Sequence, residues 1–249
     1  MKIIDAHSHL GGSRTTGAYC SEEDLIEVSK VHHVDGMITF PYPEPYPDSF
    51  TMHNRLYKFI QEAPFKVWGL ADVNPRLDED EYRQEVTRAI KELGFVGIKL
   101  HPYLEATKPQ DKHAVKVYEV ARELKVPVLV HTGAGVPQAL PSQMIPIAMK
   151  YPDVTFVLAH SGGTMYFDEA ILAGKLCDNV FLEMSTCYAF QFMGGVRALG
   201  ADKLLFGSDG PANVGCSIAS VKEPLLHFDD ATVEKLLGGT AEKVYNLKW

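Results

Sequence analysis

Short apolar runs alternate along the chain with longer amphipathic stretches, and this rhythm predicts strands and helices in turn. Strands are expected over residues 1–10, 34–40, 65–73, 96–101, 127–131, 154–160, 180–185 and 204–209. Helices are expected over 21–30, 51–62, 78–93, 111–124, 142–151, 165–176, 190–199, 230–237 and 240–247. The helix at 78–93 carries Tyr82, Val86, Ala89, Ile90 and Leu93 as one stripe on an otherwise charged surface, with Gly94 placed to end it. Most of the strands are apolar throughout, as when both faces of a parallel sheet are covered. Pro41-Tyr-Pro-Glu-Pro-Tyr-Pro47 has four prolines, which rules out helix and central strand; it reads as a stiff loop, either a connector or a pocket wall.

The alternation, the length and the absence of any composition break predict an α/β chain folded as a single (β/α)8 TIM barrel over 1–249. A doubly wound open sheet would need a glycine-rich phosphate turn after the first strand, and Gly11-Gly12-Ser13-Arg14 is not one.

Polar residues collect at the predicted strand ends. The first strand ends at His7 and His9, the fourth at Lys99 and His101, the fifth at His131, the sixth at His160 and the eighth at Asp209. Strict alternation puts His7 and His9 on one face with Ile3 and Asp5, close enough to share an ion. In a barrel these ends surround one mouth. One such histidine is readily a packed core group. Five with an aspartate are harder to bury unpartnered, and a divalent cation would offset that cost. His32, His33, His53, His113 and His227 fall on helices or loops and read as surface or helix-end residues.

Histidine and aspartate donors without thiolate suit zinc first, and also manganese, iron or cobalt. The four cysteines, Cys20, Cys177, Cys187 and Cys216, are scattered and indicate neither a disulfide framework nor a zinc ribbon. A net charge of −8 with no basic block argues against a nucleic-acid partner. No run reaches the ~18 apolar residues of a membrane span, and the first residues do not read as a signal peptide, so a cytoplasmic protein acting on a small molecule is expected. A homo-oligomer stays open.

Ile4-Asp-Ala-His-Ser-His9, Gly97-Ile-Lys-Leu-His-Pro102, Val128-Leu-Val-His-Thr-Gly133, Leu158-Ala-His-Ser-Gly-Gly163 and Leu205-Phe-Gly-Ser-Asp-Gly-Pro211 come in this order along the chain. With Gly239-Thr-Ala-Glu-Lys-Val-Tyr-Asn-Leu247 they resemble the amidohydrolase superfamily, more narrowly the branch containing aminocarboxymuconate semialdehyde decarboxylase and other metal-dependent carboxylases, lactonases and hydrolases. The resemblance implies His7, His9, His131 and Asp209 as ligands of one divalent ion, Asp209 also as the base toward water, and His160 as the group that orients or protonates at the reaction centre. Lys99, His101 and Tyr103 would line the substrate site. Binuclear members carry a carboxylated lysine or a glutamate at the end of strand four, which leaves a bridging carbamate on Lys99 open; the Lys-Leu-His-Pro context is more like the mononuclear branch.

The resemblance implies hydrolysis of a small ester, lactone or amide. Non-oxidative decarboxylation of a small unsaturated or aromatic acid is the alternative; it would need cations such as Lys99, Arg14, Arg76 or Arg197 near the mouth. A barrel that binds metal or ligand without catalysis is the third reading. Tyr42, Tyr46, Tyr103, Thr132 and Tyr188 are expected around the mouth from their loop positions.

Overall fold

The computed structural model describes residues 1–13, 15–42, 48–133 and 135–249, without the side chains of Lys222 and Glu223. Its strands are β1 (Ile4–Gly12), β2 (Tyr19–Cys20), β3 (Gly36–Pro41), β4 (Lys66–Asp72), β5 (Gly97–Leu100), β6 (Val128–His131), β7 (Phe156–Ala159), β8 (Val180–Glu183) and β9 (Leu204–Leu205). They lie in the order β2-β1-β3-β4-β5-β6-β7-β8-β9, all parallel except β2, which turns back on the end of β1.

The sheet closes on itself. Ala6 N–H donates to Phe206 O at 3.0 Å, His9 N–H to Gly210 O at 3.1 Å, and Gly210 N–H to His7 O at 3.2 Å. The chain that leaves β9 thereby pairs with β1, and the architecture is a (β/α)8 barrel. Inside it, Ile4, Ala6, Ile38, Phe40, Trp68, Leu70, Leu129, Val157, Ala159 and Leu205 form an inner apolar cluster, and a larger cluster fills the layer between sheet and helices.

The helices wrap this sheet: α1 (Glu22–His32), α2 (Ser49–Glu62), α3 (Glu79–Lys91), α4 (Lys112–Leu124), α5 (Ile145–Lys150), α6 (Phe167–Leu176), α7 (Ala189–Leu199), α8 (Val214–Leu225), α9 (Asp230–Glu234) and α10 (Thr240–Val244). Ser21 caps α1 in a capping box with Asp24. Helix α8 and strand β2 were not expected. Gly215, Ser217, Ser220 and Pro224 blur the apolar period of α8, and a two-residue strand is too short to show alternation.

Strict alternation in the first strand also fails. The β1–β3 register shifts between Asp5 and Ser8: Ile4 pairs with Gly36, but His9 pairs with Phe40. Gly36, Ile38 and Phe40 form one row, so the bulge brings His7 and His9 onto the side of Ile4 and not that of Asp5. Asp5 holds the bulge: its carboxylate accepts from His7 N–H at 3.1 Å, Ser208 N–H at 2.9 Å and Ser208 Oγ–H at 2.5 Å. Burial pushes the Asp5 carboxyl up to about 7, and the hydrogen bonds from Ser208 and His7 pull the other way.

His53 corrects the expectation of a surface residue. It is fully buried on α2, Nδ1 donates to Glu85 at 2.6 Å, and Nε2 accepts Asp72 N–H at 3.0 Å. It thus pins the C-terminal end of β4. His53→Ala would leave a carboxylate and a backbone N–H without their partner and a hole behind them, at a cost of about 2–4 kcal/mol. A urea midpoint within error of wild type would show that the bond contributes nothing. His32, His33, His113 and His227 are exposed or half-buried, as expected.

Candidate metal centre and active-site cavity

The inner rows of several strands change from apolar to polar at their C-terminal ends: Leu129 is followed by His131, and Phe181 by Glu183. These ends meet at a cavity of about 450 Å³ lined by His9, Tyr42, His101, Tyr103, His131, His160, Asp209 and residues of the loops around them. The backbone is bent to aim them. His160, Ser161, Thr186 and Asp209 all have positive φ, at 61°, 47°, 59° and 58°. Such conformations cost of order 1–3 kcal/mol each in non-glycine residues, and they concentrate where side chains must be aimed.

His7 Nε2 lies 3.3 Å from His9 Nε2, and Asp209 Oδ1 is 3.2 Å from each. His160 belongs to the same group: donor atoms of His7, His160 and Asp209 all lie within 4.8 Å of one another. His131 joins through His160, with Nδ1 at 3.1 Å from His160 Nε2. Four donor donors at about 2.0–2.1 Å around a tetrahedral ion sit about 3.3 Å apart. The triangle of His7, His9 and Asp209 has that size, and its donor set is one that divalent cations take. The residues therefore fit a metal ion.

Burial holds all of these rings neutral. His7 and His131 are pushed well below the ordinary histidine value, His9 is lowered, and His160 falls to about 4, in each case first by burial. Burial alone would raise Asp209; the facing His160, His7 and His9 rings outweigh it and hold the carboxyl well below its usual range. The site thus presents an ionised carboxylate among neutral imidazoles, the protonation state in which a cation is bound.

Around the centre, His7 packs against Phe40 at 5.0 Å between ring centroids, and Tyr42 stacks on His9 at 4.2 Å and 2°. His101 stacks on His131 at 3.9 Å, and its Nδ1 accepts Leu104 N–H. Tyr103 stands half-exposed on the rim. Tyr19 on β2, with Thr16 and Asn213 on loops, completes the wall; sequence reasoning missed all three.

Other expected site residues lie elsewhere. Lys99 is buried with its ammonium over the Phe40 ring at 4.6 Å, and is not among the residues that line the cavity. Its register partner on β4 is Asp72, also buried. Burial pushes Lys99 down to about 8 and Asp72 up to about 8, each opposed by the other's charge. Thr132 is structural: its hydroxyl donates to Ala159 O and accepts Gly162 N–H. Tyr188 faces a neighbouring shallow cleft with Thr186, Cys187 and Asn213. Arg76 is exposed and donates to Ala106 O, and Arg197 is exposed. Tyr46 and Arg14 lie outside the described residues.

Glu183 also went unforeseen. It is fully buried at the end of β8 and bonds to His7, His160 and Ser185. Gly207 makes its room: a Cβ there would stand 2.2 Å from Glu183 Oε1. Gly207→Ala must displace this buried carboxylate, and a loss of about 1–3 kcal/mol is expected in denaturant unfolding. An alanine variant of unchanged stability would show that the strand moves aside freely.

Residues 39–247 match the amidohydrolase family model. The chain belongs to the amidohydrolase family. Among curated proteins none matches the sequence. Solved structures do match. A 5-carboxyvanillate decarboxylase of Novosphingobium aromaticivorans, complexed with manganese and 4-hydroxy-3-methoxy-5-nitrobenzoic acid, has a TM-score of 0.79 at 14% identity, with 99% of this chain and 96% of that one covered. A dihydroxybenzoic acid decarboxylase of a Polaromonas species, with bound manganese and the inhibitor 2-nitroresorcinol, gives 0.75 at 16% identity over 99% and 97%. A probable 2-pyrone-4,6-dicarboxylic acid hydrolase of Acinetobacter baumannii with citric acid bound gives 0.71 at 16% over 99% and 100%. At these identities the likeness is one of fold, and the fold carries both decarboxylases and a hydrolase. Among the described residues no helix is long and apolar enough to cross a membrane.

Proposed function

We propose that this amidohydrolase hydrolyses a small, uncharged ester, lactone or amide with the help of one divalent metal ion, zinc or manganese. The observation that carries the reading is the triangle of His7, His9 and Asp209 at 3.2–3.3 Å on a cavity floor. His7, His9 and Asp209 would hold the ion, with His131 beside them. Such an ion supplies Lewis acidity: it polarises a carbonyl and makes water easier to deprotonate near neutral pH.

The chain's own groups do the rest. Asp209, kept ionised, accepts a proton from water as its oxygen attacks the carbonyl carbon, and returns it to the leaving oxygen or nitrogen as that bond breaks. His160, kept neutral by burial, accepts a hydrogen bond from the attacking water and so holds its oxygen in place. Tyr42, Tyr19 and Tyr103 supply apolar ring surface that suits a flat substrate.

Lining side chains among the described residues include no lysine or arginine, and the Lys99 ammonium is buried over the Phe40 ring. That supports an uncharged substrate over a carboxylate. The test is turnover by the metal-loaded protein on panels of lactones, esters and amides, beside carbon dioxide release from aromatic and dienoic acids. Turnover of the neutral panel is expected; carbon dioxide release without hydrolysis would make the protein a decarboxylase.

A further inference from the structure

Glu183 meets four groups with two oxygens. Oε2 lies 2.8 Å from His7 Nδ1, 3.1 Å from His160 N and 2.8 Å from Ser185 Oγ, and Oε1 lies 2.5 Å from Ser185 N. Two of these partners are backbone N–H groups, which only donate, and as a carboxylate Glu183 accepts from all four. The Ser185 hydroxyl donates to Oε2, which leaves its lone pairs for His160 Nδ1 at 2.8 Å. His160 Nδ1 must then carry the hydrogen, and His7 Nδ1 likewise. A neutral imidazole has only one N–H, so Nε2 of both rings is left as a bare lone pair.

Those two atoms face the centre of the site. Asp209 alone would favour the opposite arrangement in His7, because its negative Oδ1 lies 3.2 Å from Nε2 and attracts a hydrogen there. Glu183 offers the shorter contact, 2.8 Å, within the range of strong charge-assisted bonds. Two acceptors therefore compete for one proton, and the nearer one holds it away from the site.

We propose that Glu183 is a positioning residue that fixes the tautomer of two histidines at once, His7 directly and His160 through Ser185, so that both turn unprotonated Nε2 atoms toward Asp209. The value of this arrangement rests on the metal reading above, since a lone pair can bind a cation where an N–H cannot. The tautomers themselves do not depend on it.

Long-range proton–nitrogen correlation spectra of metal-free protein labelled with nitrogen-15 in histidine report the protonated nitrogen of each ring. His7 and His160 of the wild type are expected to carry hydrogen on Nδ1. In Glu183→Leu, both should move to Nε2–H; Glu183→Gln keeps an oxygen for His7 and should retain its Nδ1–H; Ser185→Ala should release His160 alone. Mn²⁺ titrated into Glu183→Leu should bind about 10–100-fold more weakly than to wild type. An Nε2–H on either ring of the wild type overturns the proposal without recourse to any variant, as does a folded Glu183→Leu whose His7 keeps Nδ1–H. Tautomers as stated, with no Mn²⁺ bound by the wild type, would uphold Glu183 and overturn the metal reading.

Discussion

Replacement of Asp209 by asparagine should lower kcat by about 10²–10⁴-fold, the usual contribution of a positioned proton acceptor. The change keeps the shape of the side chain and removes its charge. It also sets an amide opposite the Nε2 atoms of His7 and His9, 3.2 Å away, so the ion should bind more weakly as well. The two effects separate in an assay over a range of metal concentrations: the weaker affinity is recovered at high metal, the lost acceptor is not. A variant within tenfold of wild type at saturating metal would remove Asp209 from the proton's path.

His7→Ala should abolish stable metal binding. The ring supplies one corner of the triangle and also occupies Glu183, so its loss opens the site and strips a fully buried carboxylate of one partner. Elemental analysis should show the metal-to-chain ratio falling from near unity to near zero, with no such fall for His32→Ala at the half-buried end of α1. Full occupancy in His7→Ala would place the ion elsewhere.

The barrel and the polar strand ends were legible because both follow from periodicity. Buried strands are apolar throughout, and a histidine at the end of such a run stands out against it. His7, His9, His131, His160 and Asp209 were visible for that reason, and the structure gathers them around one cavity. The β1 bulge was not visible, because a register shift is set by a partner strand and leaves no mark in Ile-Asp-Ala-His-Ser-His itself. Glu183 looks in sequence like the polar end of one more strand; only the fold brings His7, 176 positions away, to its carboxylate. His53 sits on a helix with good apolar spacing, and its burial depends on Glu85 of the next helix. Lys99 was expected to line the cavity beside His101, but its ammonium is buried over the Phe40 ring, a contact that another strand supplies and the sequence does not show.

Convergence of residues from the first and last strands on one cation is best examined in a crystal soaked in manganese, with data collected at the manganese edge. One anomalous peak is expected about 2.0–2.2 Å from His7 Nε2, His9 Nε2 and Asp209 Oδ1. A bound ion found away from these three atoms, or none at the cavity floor with the side chains turned apart, would contradict it.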